Sequence, residues 1–237
     1  MAFSISTDGS MYIRQVCVHI SRPYMLSMKE DYHIHCNYND HSSPDLTVSN
    51  VVKQAQNMGL KVIAFAEHVR KTSDWIPKYL DEIERISSSS SSDNTIKVIP
   101  GFEAKILIDG SIDCLEKYAE KYFVIASFHT QYNDKQVWLH ALEKAIENPN
   151  VDVIGHIAPE PSFTLEPKEI EQLSNLIVQN KKTVELNAKY HRPPIDWIKI
   201  LRKDKVHFHL GSDAHSLDQI GRFEKISDLI ELAEGSD

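Results

Sequence analysis

Residues 31–35 read DYHIH, and the reading of this pentapeptide decides the fold. Its length and alternation suit a short strand, and strand geometry puts His33 and His35 on the same side. The motif recurs in spirit down the chain. Short β-branched runs at Lys61–Ala66, Ile96–Phe102, Tyr122–Phe128, Val151–Gly155, Thr183–Leu186 and Val206–Leu210 complete a set of seven expected strands. Most end in a metal-binding type of side chain. Glu67 and His68 close the second, Glu103 the third, His129 the fourth and His156 the fifth, while Asp213 and His215 follow the seventh. His41 lies in the loop after the first.

Between these runs lie amphipathic segments with helical spacing. One starts near Thr47 and stops at Gly59, a residue suited to a left-handed cap. A second spans Asp134–Glu147 with Trp138, Ala141, Leu142 and Ala145 on one face, and the last carries Ile226, Leu229, Ile230 and Ala233. Strands alternating with helices imply a parallel sheet. An α/β barrel gathers all its C-terminal strand ends on one face, whereas an open sheet gathers fewer, so the barrel is the better expectation. The expected domain covers residues 31–237, preceded by an N-terminal extension over residues 1–30 with a short strand around Tyr12–Ile20. The serine run Ser87–Ser92 reads as a flexible loop.

Composition narrows the function classes. The 237 residues are 41% hydrophobic and 25% charged, ordinary values for a globular chain with a sizeable core. No apolar run approaches the roughly 20 residues of a spanning helix, and the N-terminus does not resemble a secretory signal. A net charge of −8 argues against an extended nucleic-acid-binding surface, though not against a local phosphate pocket. Three cysteines make no disulfide scaffold, so a cytoplasmic location is expected.

Each histidine alone has a plain explanation as packing or as a solvated surface group. His140 lies within a helical segment, and His207 and His209 suit strand packing. Cys36 adjoins His35 and faces the other way in a regular strand. The convergence of so many strand ends on one chemistry is what points to a site.

The motifs DYHIH, AEH at Ala66–His68, GFEAKILIDGSID at Gly101–Asp113, ASFH at Ala126–His129, GH at Gly155–His156, ELNA at Glu185–Ala188 and GSDAH at Gly211–His215 together resemble the polymerase-and-histidinol-phosphatase (PHP) family of phosphoesterases. The glutamate segment is similar to that of small bacterial phosphatases and of PHP domains on family X DNA polymerases. Glu67 departs from the Asp that close relatives often carry there. The resemblance implies a distorted seven-stranded (β/α)7 barrel holding up to three divalent metal ions. It puts His33, His35, Glu103 and Asp213 on the first ion, Glu103, His129 and His156 on the second, and His41, His68 and His215 on the third. Imidazole and carboxylate ligands suit Zn²⁺, Mn²⁺ or Fe²⁺. The implied reaction is attack of a metal-bridging hydroxide on a small phosphorylated substrate, with Glu103, Asp213 and Arg192 as the catalytic set.

Arg192, after the sixth strand, is the first choice for a phosphate contact, and Arg70 the second. Phosphomonoesterase is the leading function. Histidinol phosphatase, nuclease or nucleic-acid end-processing enzyme, and a non-catalytic metal-stabilised interaction module are the alternatives. An amidohydrolase is disfavoured because Glu103 and His129 stand at the third and fourth strand ends, where that chemistry typically needs a lysine at the fourth. The oligomeric state is left open.

Overall fold

The computed structural model describes residues 25–89, 96–157 and 163–235. The expected strand at Tyr12–Ile20 and most of the N-terminal extension lie outside these residues. Among the described residues nine strand segments are interspersed with helices: β1 (Glu30–Ile34), β2 (Val62–Phe65), β3 (Glu67–Val69), β4 (Lys97–Ile99), β5 (Gly101–Lys105), β6 (Phe123–Ser127), β7 (Val153–Ile154), β8 (Thr183–Asn187) and β9 (His207–Gly211). All the sheet pairings are parallel.

In place of the single seven-stranded sheet of the expected barrel, the described strands pair in two groups. The segments form a three-stranded sheet, β1-β2-β4, and a six-stranded sheet, β3-β5-β6-β7-β8-β9. Two of the expected runs are split between the sheets. Ala66 interrupts the second, its N–H donating across to Ile34 O at 2.9 Å. Pro100 interrupts the third, where a residue without an N–H cannot serve a ladder. The far edge of the larger sheet meets β1 just beyond β9, through Asp213 N to His33 O at 2.8 Å and His35 N to Ala214 O at 3.1 Å.

Helices α1 (Val48–Asn57), α2 (Ile76–Ser89), α3 (Glu116–Ala119), α4 (Lys135–Glu147), α5 (Pro167–Gln179), α6 (Ile195–Lys203) and α7 (Ser227–Glu234) pack on the sheets. Thr47 caps α1 by accepting from Asn50 N, and Gly59 follows it at φ +74°. Asp134 caps α4 by accepting from Gln136 N and Val137 N. The serine run differs from the expected loop: α2 continues through Ser89, and the Ser87 and Ser88 hydroxyls donate to the carbonyls of Ile83 and Glu84. Residues 90–95 are outside the described set.

The helix-facing core is continuous from Ile34 and Phe65 through Phe102 and Trp138 to Leu210 and Phe223. Each fully buried side chain of this size stabilises the fold by about 1.5–3 kcal/mol. A smaller cluster of Ala64, Ala66, Phe123, Ile125 and Val153 fills the opposite side of the strands. Among the described residues no helix is long and apolar enough to cross a membrane.

Candidate metal centre

Strand register brings the site together. His68 in β3 lies opposite Glu103 in β5, and Glu103 lies opposite Ile125 in β6, whose strand leads on to His129. His33 and His35 come from the end of β1, and their Nε2 atoms stand 3.1 Å apart. Asp213 and His156 complete the ring from the chain after β9 and β7. Both hold left-handed backbone, φ +53° and +39°, which costs a non-glycine residue about 1–3 kcal/mol and is sustained by the surrounding structure.

Glu103 is the hub. Its Oε2 lies 2.9 Å from His68 Nδ1, 3.2 Å from His129 Nε2, 3.5 Å from His33 Nε2 and 3.6 Å from His35 Nε2, while its Oε1 lies 3.4 Å from His156 Nε2. None of these approaches is aligned as a hydrogen bond, so both carboxylate oxygens are buried without a partner, as is His35 Nδ1. Orphaned buried groups are costly. Asp213 Oδ1 lies 3.2 Å from His35 Nε2 and 3.3 Å from His215 Nδ1, and its Oδ2 lies 3.1 Å from His156 Nε2.

Four sets of three potential ligand atoms fall within 4.8 Å of one another: His33, Glu103 and His156; His33, His35 and Asp213; His68, Glu103 and His129; and His35, His68 and His215. Mixed imidazole nitrogen and carboxylate oxygen, with unpartnered atoms pointing inward, is a donor set that fits divalent transition metals. His41 stands apart. It lines the cavity, but its side chain is 66% exposed, its ring centroid is 6.1 Å from that of His68, and it belongs to none of the four sets.

Electrostatics follow the packing. Burial pushes the Glu103 carboxyl up, but His129 and His33 outweigh it and hold the group well below the usual carboxylate range. Asp213 behaves alike: burial raises it, and His33, His156 and His35 pull it well down. Burial, reinforced by His35, pushes His215 down to about 4. A bound cation adds a larger charge to this balance.

A second layer orients the ligands. His33 Nδ1 lies 2.6 Å from Glu185 Oε1, and a carboxylate only accepts, so Nδ1 carries a proton and Nε2 is the nitrogen turned toward Glu103. Asn187 Nδ2 donates to Glu185 Oε2 at 3.1 Å and to Asp213 Oδ2 at 3.2 Å. Gly155 and Gly211 make the room: a Cβ on the first would stand 2.9 Å from Glu185 Oε2, and one on the second would run into Glu185 Oε1 and lie 2.8 Å from the Cβ of His33. Glu67 Oε2 accepts from Cys36 N and Cys36 Sγ, both at 2.9 Å, which ties the buried cysteine to the carboxylate beside His35.

A cavity of about 390 Å³ opens over this face, lined by His41, His68, His129, His156, Lys189, Tyr190, Asp213 and His215. Neither Arg192 nor Arg70 lines it. Arg192 is half-buried and its backbone bridges to Asn187, while Arg70 is exposed with its N–H donating to Ser73 Oγ. Sequence reasoning missed Glu185, Asn187, Lys189 and Tyr190. Glu185 and Asn187 share a face of β8 by strand parity, a signal present in the quoted ELNA motif.

The PHP domain family model matches residues 31–189. The chain is 26% identical over 213 residues to a protein of Acetivibrio thermocellus named "Probable phosphatase", covering 85% of each. It is 29% identical over 201 residues to a "Probable phosphatase" of Caldicellulosiruptor saccharolyticus, covering 79% of this chain and 81% of that one. In fold it is similar to a histidinol phosphate phosphatase of Lactococcus lactis crystallised with zinc, L-histidinol and phosphate. That match has a TM-score of 0.66 and 21% identity, and covers 87% of this chain and 94% of the other. With two-thirds of its length matched and the strand-end histidines and carboxylates gathered on one face, the chain belongs to the PHP domain family.

Proposed function

We propose that the protein is a metal-dependent phosphoesterase, acting as a phosphomonoesterase on a small phosphorylated metabolite or nucleotide. The observation that carries this reading is Glu103, whose two buried oxygens face five imidazoles with no hydrogen bond to any of them. The relatives named as phosphatases support the same activity.

In this reading His33, His35, Glu103 and Asp213 would hold one ion, Glu103 with His129 and His156 a second, and His68 and His215, with His41 from the loop, a third. When bound, such ions neutralise charge on the phosphoryl oxygens and lower the pKa of the attacking water. The chain's own residues do the rest. Glu185 keeps His33 in the tautomer that presents Nε2 inward, and Asn187 fixes the carboxylate of Asp213. The two sheets are proposed as parts of one distorted (β/α)7 barrel, the reading supported by the backbone links between β1 and the chain after β9. A reducing cytoplasm is the proposed compartment.

Histidinol phosphate is the second, narrower substrate reading, favoured by the Lactococcus neighbour. The test is elemental analysis of the purified protein together with turnover of sugar phosphates, nucleotides, histidinol phosphate and short oligonucleotides. More than one transition metal per chain and metal-dependent release of phosphate are expected. A protein that takes up no metal on titration would overturn the reading.

A further inference from the structure

We propose that Lys189 is the cation that grips the substrate's phosphoryl oxygens, an inference that rests on the phosphoesterase reading above. Lys189 stands two residues beyond the end of β8, and its side chain reaches back over the metal face. Its Nζ lies 3.3 Å from Asp213 Oδ1, 3.2 Å from His215 Nδ1 and 5.1 Å from the centroid of the Tyr190 ring. The side chain is 36% exposed, so it borders both cavity and solvent. Among the described residues that line the cavity it is the one lysine or arginine, the others being histidines, Asp213 and Tyr190.

The argument is one of charge. A phosphomonoester brings a dianion to a face whose carboxylates, Glu103 and Asp213, repel it. Cations on those carboxylates and on the imidazoles would reverse the repulsion, and by taking up the charge of Asp213 and repelling the ammonium they would weaken its pairing with Lys189. The displaced ammonium keeps three donors on a flexible stem and needs an anionic partner nearby. The phosphoryl group held above the metal face is that partner. Arg192, the candidate favoured by sequence, is tethered by its backbone bridge to Asn187 and lies outside the cavity lining. The competing role for Lys189 is an ion pair with the buried Asp213 that neutralises its carboxylate only when no metal does so, and the phosphate-binding comparison below separates the two roles.

The experiment compares the full-length metal-loaded wild type with Lys189→Met, Lys189→Gln and Lys189→Arg. Metal content is read by elemental analysis, inorganic phosphate binding by calorimetry, and turnover with p-nitrophenyl phosphate. Lys189→Met and Lys189→Gln are expected to keep the wild-type metal content and to bind phosphate about 10- to 100-fold more weakly, the scale of a charge-assisted hydrogen bond. KM should rise, and Lys189→Arg should recover part of the affinity. Circular dichroism identifies a variant that fails to fold, and the other neutral variant then carries the comparison. Unchanged phosphate affinity at unchanged metal content would overturn the assignment. So would a gain of metal with unchanged phosphate affinity, which would make the ammonium a mere stand-in for an ion. A wild type that takes up no metal and hydrolyses no ester defeats the phosphoesterase reading instead. Failure of Lys189 alone shows as an active wild type matched by its variants.

Discussion

His33 and Glu185 face each other at 2.6 Å, both fully buried, across 152 positions of sequence. The contact fixes which nitrogen of His33 is free to bind a cation. Glu185→Gln keeps the shape but replaces the anion with a neutral acceptor that competes less well for the Nδ1 proton. The expected outcome is a folded protein whose transition-metal affinity falls about 10- to 100-fold, measured by competition with a chelator. Wild-type affinity in the variant would make the pair a packing contact.

Glu103 belongs to two of the close ligand sets, one with His33 and His156 and one with His68 and His129. Glu103→Gln is therefore expected to lower the metal content by more than one equivalent per chain, as read by elemental analysis. Loss of a single equivalent would contradict a shared carboxylate.

The two candidate phosphate contacts after β8 are ranked by a paired measurement. Arg192→Ala should weaken inorganic phosphate binding less than Lys189→Met does, because Lys189 lines the cavity and Arg192 does not. The reverse order would return the phosphate grip to Arg192.

His209 supplies a pH dependence. Its ring is buried, stacked on Tyr32 at 4.9 Å with Phe123 beside it, and Nε2 has no hydrogen-bond partner. Burial pushes its pKa from 6.5 down to about 4. The unfolded chain therefore takes up this proton first as pH falls, so stability present above pH 6.5 is lost toward pH 4. At pH 5 the loss amounts to about 2 kcal/mol. His209→Phe should abolish this share, so that denaturant unfolding of wild type and variant diverges by about that amount between pH 7 and pH 5. Parallel curves would show that the imidazole is not buried neutral.

What the sequence revealed was what linear position decides. A histidine or carboxylate at the end of a parallel strand lands on one face whatever the strand's exact length, so Glu103, His129, His156 and Asp213 were legible from the alternation alone. The division into two sheets was not, because it depends on how Pro100 and Ala66 release the ladder locally rather than on any apolar pattern. The motif presents His41 as a ligand, yet its exposure is set by the loop that carries it. Lys189 is not legible in the sequence because the chain must turn back after β8 before its side chain meets Asp213, and strand periodicity ends where that turn begins.

Gly155 and Gly211 carry no functional group, yet the volume a methyl would need is taken by Ile125, Ser127 and Glu185 at the first and by the Glu185 carboxylate at the second. The vulnerability of this centre therefore extends past its chemically active side chains to positions defined by emptiness. In a random mutant library, Gly155→Ala and Gly211→Ala belong with the ligand substitutions among the silencing changes, and a screen restricted to reactive residue types would overlook both.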